Sequence, residues 1–463
     1  MQITNPFQLL HIVADYLSDI NRLNYATFEQ MRRHQNRAFC NLIKYAYRVP
    51  LYKQKFDEAG IRPGDITGIK DIKKLPIINR QDVINYYPSG TVAPELKKRS
   101  VTVNTSGSTR NPVTLYVDQY TLIKALIAYV RELRQYGIRW NTSKMSIIAN
   151  FYSGTAPTQY FDAGANPTLK PVKPLISLKN IQQLNADDDL TEMIQKVDAF
   201  KPDCIFGFPG PLRHLALLKE KGYGKHLHPR CIISSGGIMD SYEKKRIEEI
   251  FQTRVFDVYG STEAGPVAFE CEEGEYHINS DFVYIEAIDA NDNPVDKGKT
   301  GKLAITRLYG RGTPLIRYTG MGDVIALKKG ICSCGRQTEL LGKVHGRIKE
   351  SIVLPNHKII FPNVLIDVPG KVMRILNTDK IDRLQVVQQE IDEIDILVII
   401  NNVRRDEGVP IETLFDELKK EYKTVFGPDV KVTVKEVTKL VSETGGEETS
   451  PGILTKIDAS EYL

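Results

Sequence analysis

Long apolar runs are missing from this chain, and cysteine is sparse. No stretch of the 463 residues is long and apolar enough to cross a bilayer as a helix. Six cysteines in a chain of this length do not make a disulfide scaffold, which points to a reducing, cytoplasmic home. The opening MQITNPFQLLHIVADYLSDI is amphipathic and carries Asp15 and Asp19. It lacks a basic leading segment and so does not read as a secretory signal. Strong charge of either sign is absent too. The net charge of +5 is mild and spread out, which gives no reason to expect a nucleic-acid partner. Internal repeats and low-complexity tracts are also lacking.

What remains is ordinary soluble material, 41% hydrophobic and 26% charged, long enough for two or three domains. Residues from about 24 to 60 have apolar positions at three- and four-residue spacing, which predicts helix closed by Gly60. YTLIKALIAYVRELRQYG predicts a helix ended by Gly137. KMSIIAN, DCIFGF, RCIISSGG and TRVFDVYG predict short buried strands, and SYEKKRIEEIF an amphipathic helix between the last two. Short apolar strands alternating with helices imply an α/β fold with much parallel sheet. After about Gly265 the pattern changes to FVYIEAID, GKLAITRL and DVIALKKG with turn signals between them, a β-rich subdomain over about 266–346. LQVVQQEIDEIDILVIIN, IETLFDELKKEYKTVFG and DVKVTVKEV then predict two strands, a helix and a strand. These readings divide the chain into a large domain, 1–346, and a small α+β domain, 347–463, joined at GRIKES. SETGGEETSPG, from Ser442 to Gly452, is polar and Gly-rich and reads as a loop.

Four short signals carry chemistry. TSGST, from Thr105 to Thr109, is a loop of small and hydroxylated residues whose N–H groups and hydroxyls suit phosphate. It is not the GxxxxGK[ST] loop, because no Lys-Ser/Thr ends it. In isolation it is as readily a solvated turn. VYGSTEAG, Val258 to Gly265, follows an apolar strand directly, a common ligand position in open α/β sheets. There Glu263 suits a magnesium ion and Tyr259 suits stacking on a flat ring, although a capping Glu and a packed Tyr explain them equally well. RYTGMGD, Arg317 to Asp323, places a carboxylate at a glycine turn, fit for two ribose hydroxyls or for an Asx contact. GRIKES brings Arg347, Lys349 and Glu350 to the domain boundary, where a charged linker is the plainer reading.

The order TSGST, YGSTE, TGMGD, GRxKE resembles the adenylate-forming superfamily of acyl-CoA synthetases, nearest the phenylacetate–coenzyme A ligase group and its capsule-biosynthesis relatives. The resemblance runs from about residue 40 to the end and rests on the four motifs together. It implies that Thr105, Ser106, Gly107, Ser108 and Thr109 embrace the ATP phosphates, with Arg110 where the family usually has Gly. It implies that Ser235, Gly236 and Gly237 of the SSGG segment lie against adenine, with Tyr259 as the other wall and Asp257, Gly260 and Ser261 beside it. Thr262 and Glu263 match residues near the α-phosphate and Mg²⁺, Asp323 the ribose carboxylate and Arg347 the Arg beside the hinge. Glu350 stands where the family hinge usually has Asp, and the small domain is expected to rotate there between half-reactions. The family's catalytic Lys lies in a Gly-Lys pair near the C-terminus. Here SPGILTKID puts Ile453 after Gly452, so Lys456 is expected to take that role, with Lys439 a poorer candidate.

Cys271 and His277 in ECEEGEYHI, with Cys332 and Cys334 in ICSCGR, form a donor set that suits tetrahedral Zn²⁺. Spacing alone describes unrelated reduced thiols equally well. Some members of the phenylacetate ligase group hold zinc in this region, so the resemblance implies a structural ion on these four residues. Cys40, Cys204 and Cys231 read as core residues. By resemblance, Tyr152, Tyr160 and Phe208 lie near the acid pocket, in aromatic, small and apolar surroundings that fit an aromatic or other hydrophobic acid.

The function implied is an ATP-dependent carboxylic-acid ligase. It forms an acyl-adenylate with pyrophosphate release, then passes the acyl group to coenzyme A, a carrier-protein thiol or another nucleophile. Mg²⁺-ATP and zinc are the expected cofactors, and a homodimer is expected by resemblance. Two alternatives stand beside it: nucleotidyl transfer to a hydroxyl of a small-molecule coenzyme, and a non-catalytic nucleotide- or acyl-binding protein, the latter motivated by Ile453.

Overall fold

The computed structural model describes residues 25–105, 112–152, 155, 157, 158, 178–441 and 452–463. Ser106 to Thr109, Tyr160, the first 24 residues and 442–451 lie outside the described residues.

The expected helix over 24–60 is two helices, α1 (Phe28–Ala46) and α2 (Pro50–Glu58). Thr27 starts α1 with a reciprocal cap against Gln30. Pro50 divides the run, because it has no N–H to give and forces Val49 into extended backbone. Both helices bury their apolar faces (Phe39, Leu42, Ile43, Leu51, Tyr52 and Phe56) in the largest hydrophobic cluster. Helix α3 (Arg80–Tyr86) follows, capped by Asn79. Next comes an antiparallel pair, β1 (Ser100–Asn104) and β2 (Thr114–Asp118). Helix α4 (Gln119–Gln135) is capped by Asp118, and Gly137 takes the left-handed backbone just beyond its end.

Strands β3 (Met145–Ala149), β4 (Ile181–Asn185), β5 (Cys204–Gly207), β6 (Cys231–Ser235) and β7 (Arg254–Ser261) pair in parallel. Helices α5 (Leu190–Phe200), α6 (Pro209–Glu220) and α7 (Ser241–Phe251) make the crossovers. Then β8 (Gly265–Glu270), β9 (Tyr276–Ile278), β10 (Val283–Ile288), β11 (Thr300–Arg307), β12 (Asp323–Lys328) and β13 (Leu340–Arg347) pair antiparallel. The β-rich part is not a separate layer. It continues the parallel part as one 11-stranded sheet, ordered β10-β11-β12-β13-β9-β8-β7-β6-β5-β3-β4. A buried ion pair clamps helix to sheet: Arg131 on α4 donates to Asp281 at 2.7 and 2.9 Å and to Asn279 at 2.8 Å.

After a helical turn at Ile348–Glu350 come β14 (Ile352–Val353), β15 (Ile359–Ile360) and α8 (Pro362–Leu376). β16 (Ile381–Glu390), β17 (Glu393–Ile400), α9 (Ile411–Phe426), β18 (Lys431–Glu436) and β19 (Ile453–Thr455) complete the chain. Their four-stranded sheet, ordered β18-β17-β16-β19, has its own core around Ile396, Leu414, Leu418 and Tyr422. This part is packed closely on the large sheet's helices. A Cβ on Gly370 of α8 would lie 2.8 Å from Asp240 and from Tyr242. No helix among the described residues is long and apolar enough to cross a membrane.

Candidate active site

The C-terminal end of β7 is where parallel strands stop and antiparallel strands begin. Towards its end β7 buries Phe256 and Val258 and leaves the alternate Asp257 and Tyr259 half-buried on the other face. The Tyr259 hydroxyl donates to Asp323 Oδ2 at 2.5 Å. Asp323 opens β12 and lies directly opposite Arg347, the last residue of β13. Burial pushes the Asp323 carboxyl above the ordinary carboxylate range, while the Tyr259 hydroxyl and the Arg347 charge pull it back. Burial also raises Glu350, and Arg347, 3.7 Å away, opposes that rise. Tyr259, Asp323, Arg347 and Glu350 therefore form one electrostatic group at the junction of the two sheets.

Glu263 is buried within the same turn, with its carboxyl raised by burial. Its backbone carbonyl accepts from Arg307 at 2.8 Å. Ser261 reaches Met321 of the TGMGD turn at 3.6 Å and accepts from the Ala264 N–H at 3.0 Å, so the two motifs touch. Thr262 is half-buried beside them. Gly260 lies against the Gly265 carbonyl, 2.9 Å from where a Cβ would stand. Asp257 accepts from the Tyr276 hydroxyl at 2.7 Å and is pushed up to about 6, chiefly by burial.

The SSGG turn runs alongside. Ser235 donates to the Val258 carbonyl at 2.7 Å. Gly236 has φ +80°, and a Cβ there would stand 2.7 Å from the Phe208 ring. Phe208 thus packs on Gly236, and Gly237 lies against Pro209. Thr105 is the described end of the TSGST loop, and its N–H and hydroxyl both bond Val113 at 3.0 Å, closing the loop's base. Ser106, Gly107, Ser108 and Thr109, like Tyr160, lie outside the described residues. Tyr152 is 48% exposed, with its hydroxyl on Asp187.

The chain's end comes back to this junction. Ile453 is buried in the small core and pairs with Val386. Lys456 is exposed in the turn after β19, and Lys439 is exposed after β18. Ile457 and Ala459 share a hydrophobic cluster with Val324, next to Asp323, and with Ile348. Lys456 therefore stands on a segment packed against the Asp323 strand.

Sequence reasoning missed Arg80. Ile78 pairs with Tyr318 in a parallel bridge, which carries the start of α3 to the RYTGMGD turn. There the Arg80 charge helps hold down Glu263 and Tyr318, both raised by burial. Nothing within NRQD marks it.

The Cys/His cluster lies two strands away. The ligand atoms of Cys271, His277, Cys332 and Cys334 fall within 4.8 Å of one another. Cys271 and Cys332 sulfurs are 3.6 Å apart, and Cys334 Sγ is 3.2 Å from His277 Nε2. A tetrahedral zinc with Zn–S near 2.3 Å needs sulfurs about 3.8 Å apart, so the donor set fits. His277 Nδ1 bonds Thr338 Oγ1 at 2.8 Å, which turns Nε2 inward. Burial lowers His277 to about 4, leaving the imidazole neutral.

No family model matches the chain. The chain is 25% identical over 425 residues to a phenylacetate-coenzyme A ligase of Pseudomonas putida, covering 89% of this chain and 92% of the relative. It is 23% identical over 438 residues to Protein CapK of Staphylococcus aureus, covering 94% and 91%. Among solved structures, a 2-hydroxyisobutyryl-CoA ligase in its postadenylation state superposes with TM-score 0.76 at 20% identity, covering 95% of this chain and 92% of that one.

The chain is thus similar in sequence to phenylacetate-coenzyme A ligases and shares the fold of an acyl-CoA ligase. Its arrangement of the two parts matters as much as its fold. The same ligase in an open conformation gives TM-score 0.62, and in its thioesterification state 0.61, with similar coverage. The relative placement of the two sheets in this chain therefore follows the first of these structures more closely than the other two.

Tyr259→Phe tests the electrostatics of the junction. The Asp323 carboxyl is already raised in the folded protein, and losing the hydroxyl raises it further. The variant's loss of stability is accordingly small below the ordinary carboxylate pKa. It grows as pH rises through the wild type's raised folded value towards the variant's still higher one, to about 1–3 kcal/mol. Urea unfolding of both proteins from pH 4 to pH 8 measures it, and a loss independent of pH contradicts the assignment.

Proposed function

We propose that the chain activates a carboxylic acid with ATP, releasing pyrophosphate, and then passes the acyl group to coenzyme A or another thiol. The observation that carries this reading is the convergence of Tyr259, Glu263, Asp323 and Arg347 at the end of β7. The relatives' names, which include phenylacetate-coenzyme A ligase, support the reaction class.

Each residue has a task in that reaction. Asp323 receives the ribose hydroxyls, and Tyr259 and the SSGG turn flank the base. Thr105 anchors the loop that takes the phosphates. The raised Glu263 carboxyl fits a Mg²⁺ carried by ATP, because a cation would offset the cost of burying its charge. Magnesium, when bound, would neutralise charge on the α-phosphate and the departing pyrophosphate. The protein's larger contribution is alignment of two anions that repel in water. Thr262, Arg80 and Arg347 add donors and positive charge around that alignment. Lys456 supplies the cation that Ile453 cannot, from the segment packed on Val324. Phe208 on Gly236 gives the acid an apolar wall, which supports an aromatic or other hydrophobic substrate. Three thiols and a neutral imidazole support a closed structural zinc site rather than a catalytic one. The burial of Ile453 keeps a second reading in view, a nucleotide binder without turnover.

Pyrophosphate release from Mg²⁺-ATP with pooled carboxylic acids, with hydroxylamine present to trap acyl-adenylates and with or without coenzyme A, tests the reaction. Release dependent on one pool is expected, and Lys456→Ala should lower it roughly 100-fold while sparing thiol transfer from a supplied acyl-adenylate. ATP binding with no release in any pool favours the second reading, and an unchanged Lys456→Ala rate removes that residue from the step. For the cluster, metal analysis of unchelated protein should find about one zinc per chain, lost in Cys271→Ser/Cys332→Ser. Much less than one in the wild type contradicts the zinc site.

A further inference from the structure

Four charged side chains close a ring across the contact between the large part and the small part. Glu220 ends α6 and Arg246 lies on α7, both in the large part. Asp379 lies between α8 and β16, and Arg404 follows β17, both in the small part. Arg246 donates to Glu220 at 2.9 and 3.1 Å, and Arg404 donates to the same carboxylate at 2.6 Å. Arg246 also bonds Asp379, which accepts from Tyr242 at 3.1 Å and from Arg404 at 3.5 Å. Each acid thus meets both arginines, and the signs alternate around the ring. Beside it, Arg213 of α6 donates to Glu243 at 3.2 Å and across the contact to the Ile381 carbonyl at 3.1 Å. His214 faces Asp382 at 3.6 Å.

We infer that this ring is the latch that holds the small part in the arrangement that packs the Lys456 segment against the Asp323 strand, and that Glu220, Arg246, Asp379 and Arg404 are positioning residues for acid activation. Two features carry the inference. A guanidinium is planar, so an arginine that binds two carboxylates from different bodies fixes their relative orientation, as a single flexible ion pair does not. The ring is also built to open. Its side chains keep 15–39% of their surface exposed, so water can take over each charge as the parts separate. An apolar contact of the same area would hold the arrangement without a comparable release by salt. The small part's contact with α7 is otherwise close, with Gly370 against Asp240 and Tyr242, and closeness sets distance where the ring sets rotation. The consequence for the two half-reactions rests on the proposed function, and the conformational test does not.

The test reads the distance between fluorophores placed by non-canonical amino acids at Lys221 and Lys419, exposed positions on the large and small parts. The native cysteines stay untouched and no nucleotide is needed. Wild-type protein at low salt should show one dominant distance population. Glu220→Gln and Asp379→Asn should each lower the docked-to-undocked ratio about fivefold, and the double variant should lower it further. Lys245→Gln, an exposed change on α7 outside the ring, should leave it unchanged. If the double variant is misfolded by circular dichroism, the wild type decides alone: raising KCl from 0.05 to 0.5 M should shift the population. A distribution unmoved by salt and by the folded variants overturns the latch. Once an acid is known, Asp379→Asn should slow acid-dependent pyrophosphate exchange and spare thiol transfer from a supplied acyl-adenylate. Equal loss of both steps overturns the positioning role even if the distances shift.

Discussion

The carboxylate of Asp323 is the point on which the molecule's separate parts depend. It begins β12, faces Arg347 across the strand pair and accepts the Tyr259 hydroxyl from the end of the parallel strands. The next residue in sequence, Val324, forms the floor on which Ile348 and the tail residues Ile457 and Ala459 pack. One residue earlier, the Gly322 carbonyl accepts the Ile348 N–H at 2.9 Å, so the turn before β14 hangs on the same spot. A buried carboxylate is costly unless bonded or compensated, and here the Tyr259 hydroxyl bonds it while the Arg347 charge offsets the cost from the other side of the junction. Any ligand that engages Asp323 therefore changes the electrostatics felt by Arg347 and Glu350, where the chain crosses from one part to the other.

Much of this was legible in the sequence because it is local. Short apolar strands, the amphipathic SYEKKRIEEIF and the Gly137 stop need no partner to be read. Pro50 was as visible as the rest, but the apolar spacing ran through it and concealed the break between α1 and α2. The single continuous sheet was not legible. A strand's neighbours depend on register, and β13 lies between β12 and β9 in the sheet although β10, β11 and β12 come between it and β9 in sequence. That same register, Leu340 opposite His277, brings the two halves of the Cys/His cluster together. The residue types could be chosen from sequence, whereas their approach to within 4.8 Å belongs to the fold.

Arg80 and the four-charge ring show the harder limit. Arg80 reaches Glu263 only because Ile78 pairs with Tyr318, and a charged helix start looks the same wherever it points. Glu220 and Arg404 are 184 residues apart, and each alone is an ordinary surface charge. The C-terminal segment is the opposite case. Ile453 stood out in sequence because a lysine was expected there, and its burial against Val386 explains what the residue does instead. It anchors β19, and the next residues carry Lys456 past the anchor to the turn beyond.

The central claim is that Asp323 holds the ribose of ATP, and the most direct measurement removes the interaction from both sides. ATP and 2′,3′-dideoxy-ATP are titrated by equilibrium binding into the wild type and into Asp323→Ala. The account predicts that loss of the ribose hydroxyls weakens binding to the wild type roughly 10- to 100-fold and makes no further difference in the variant. Equal affinity of the wild type for both nucleotides, or the same loss in both proteins, would contradict it.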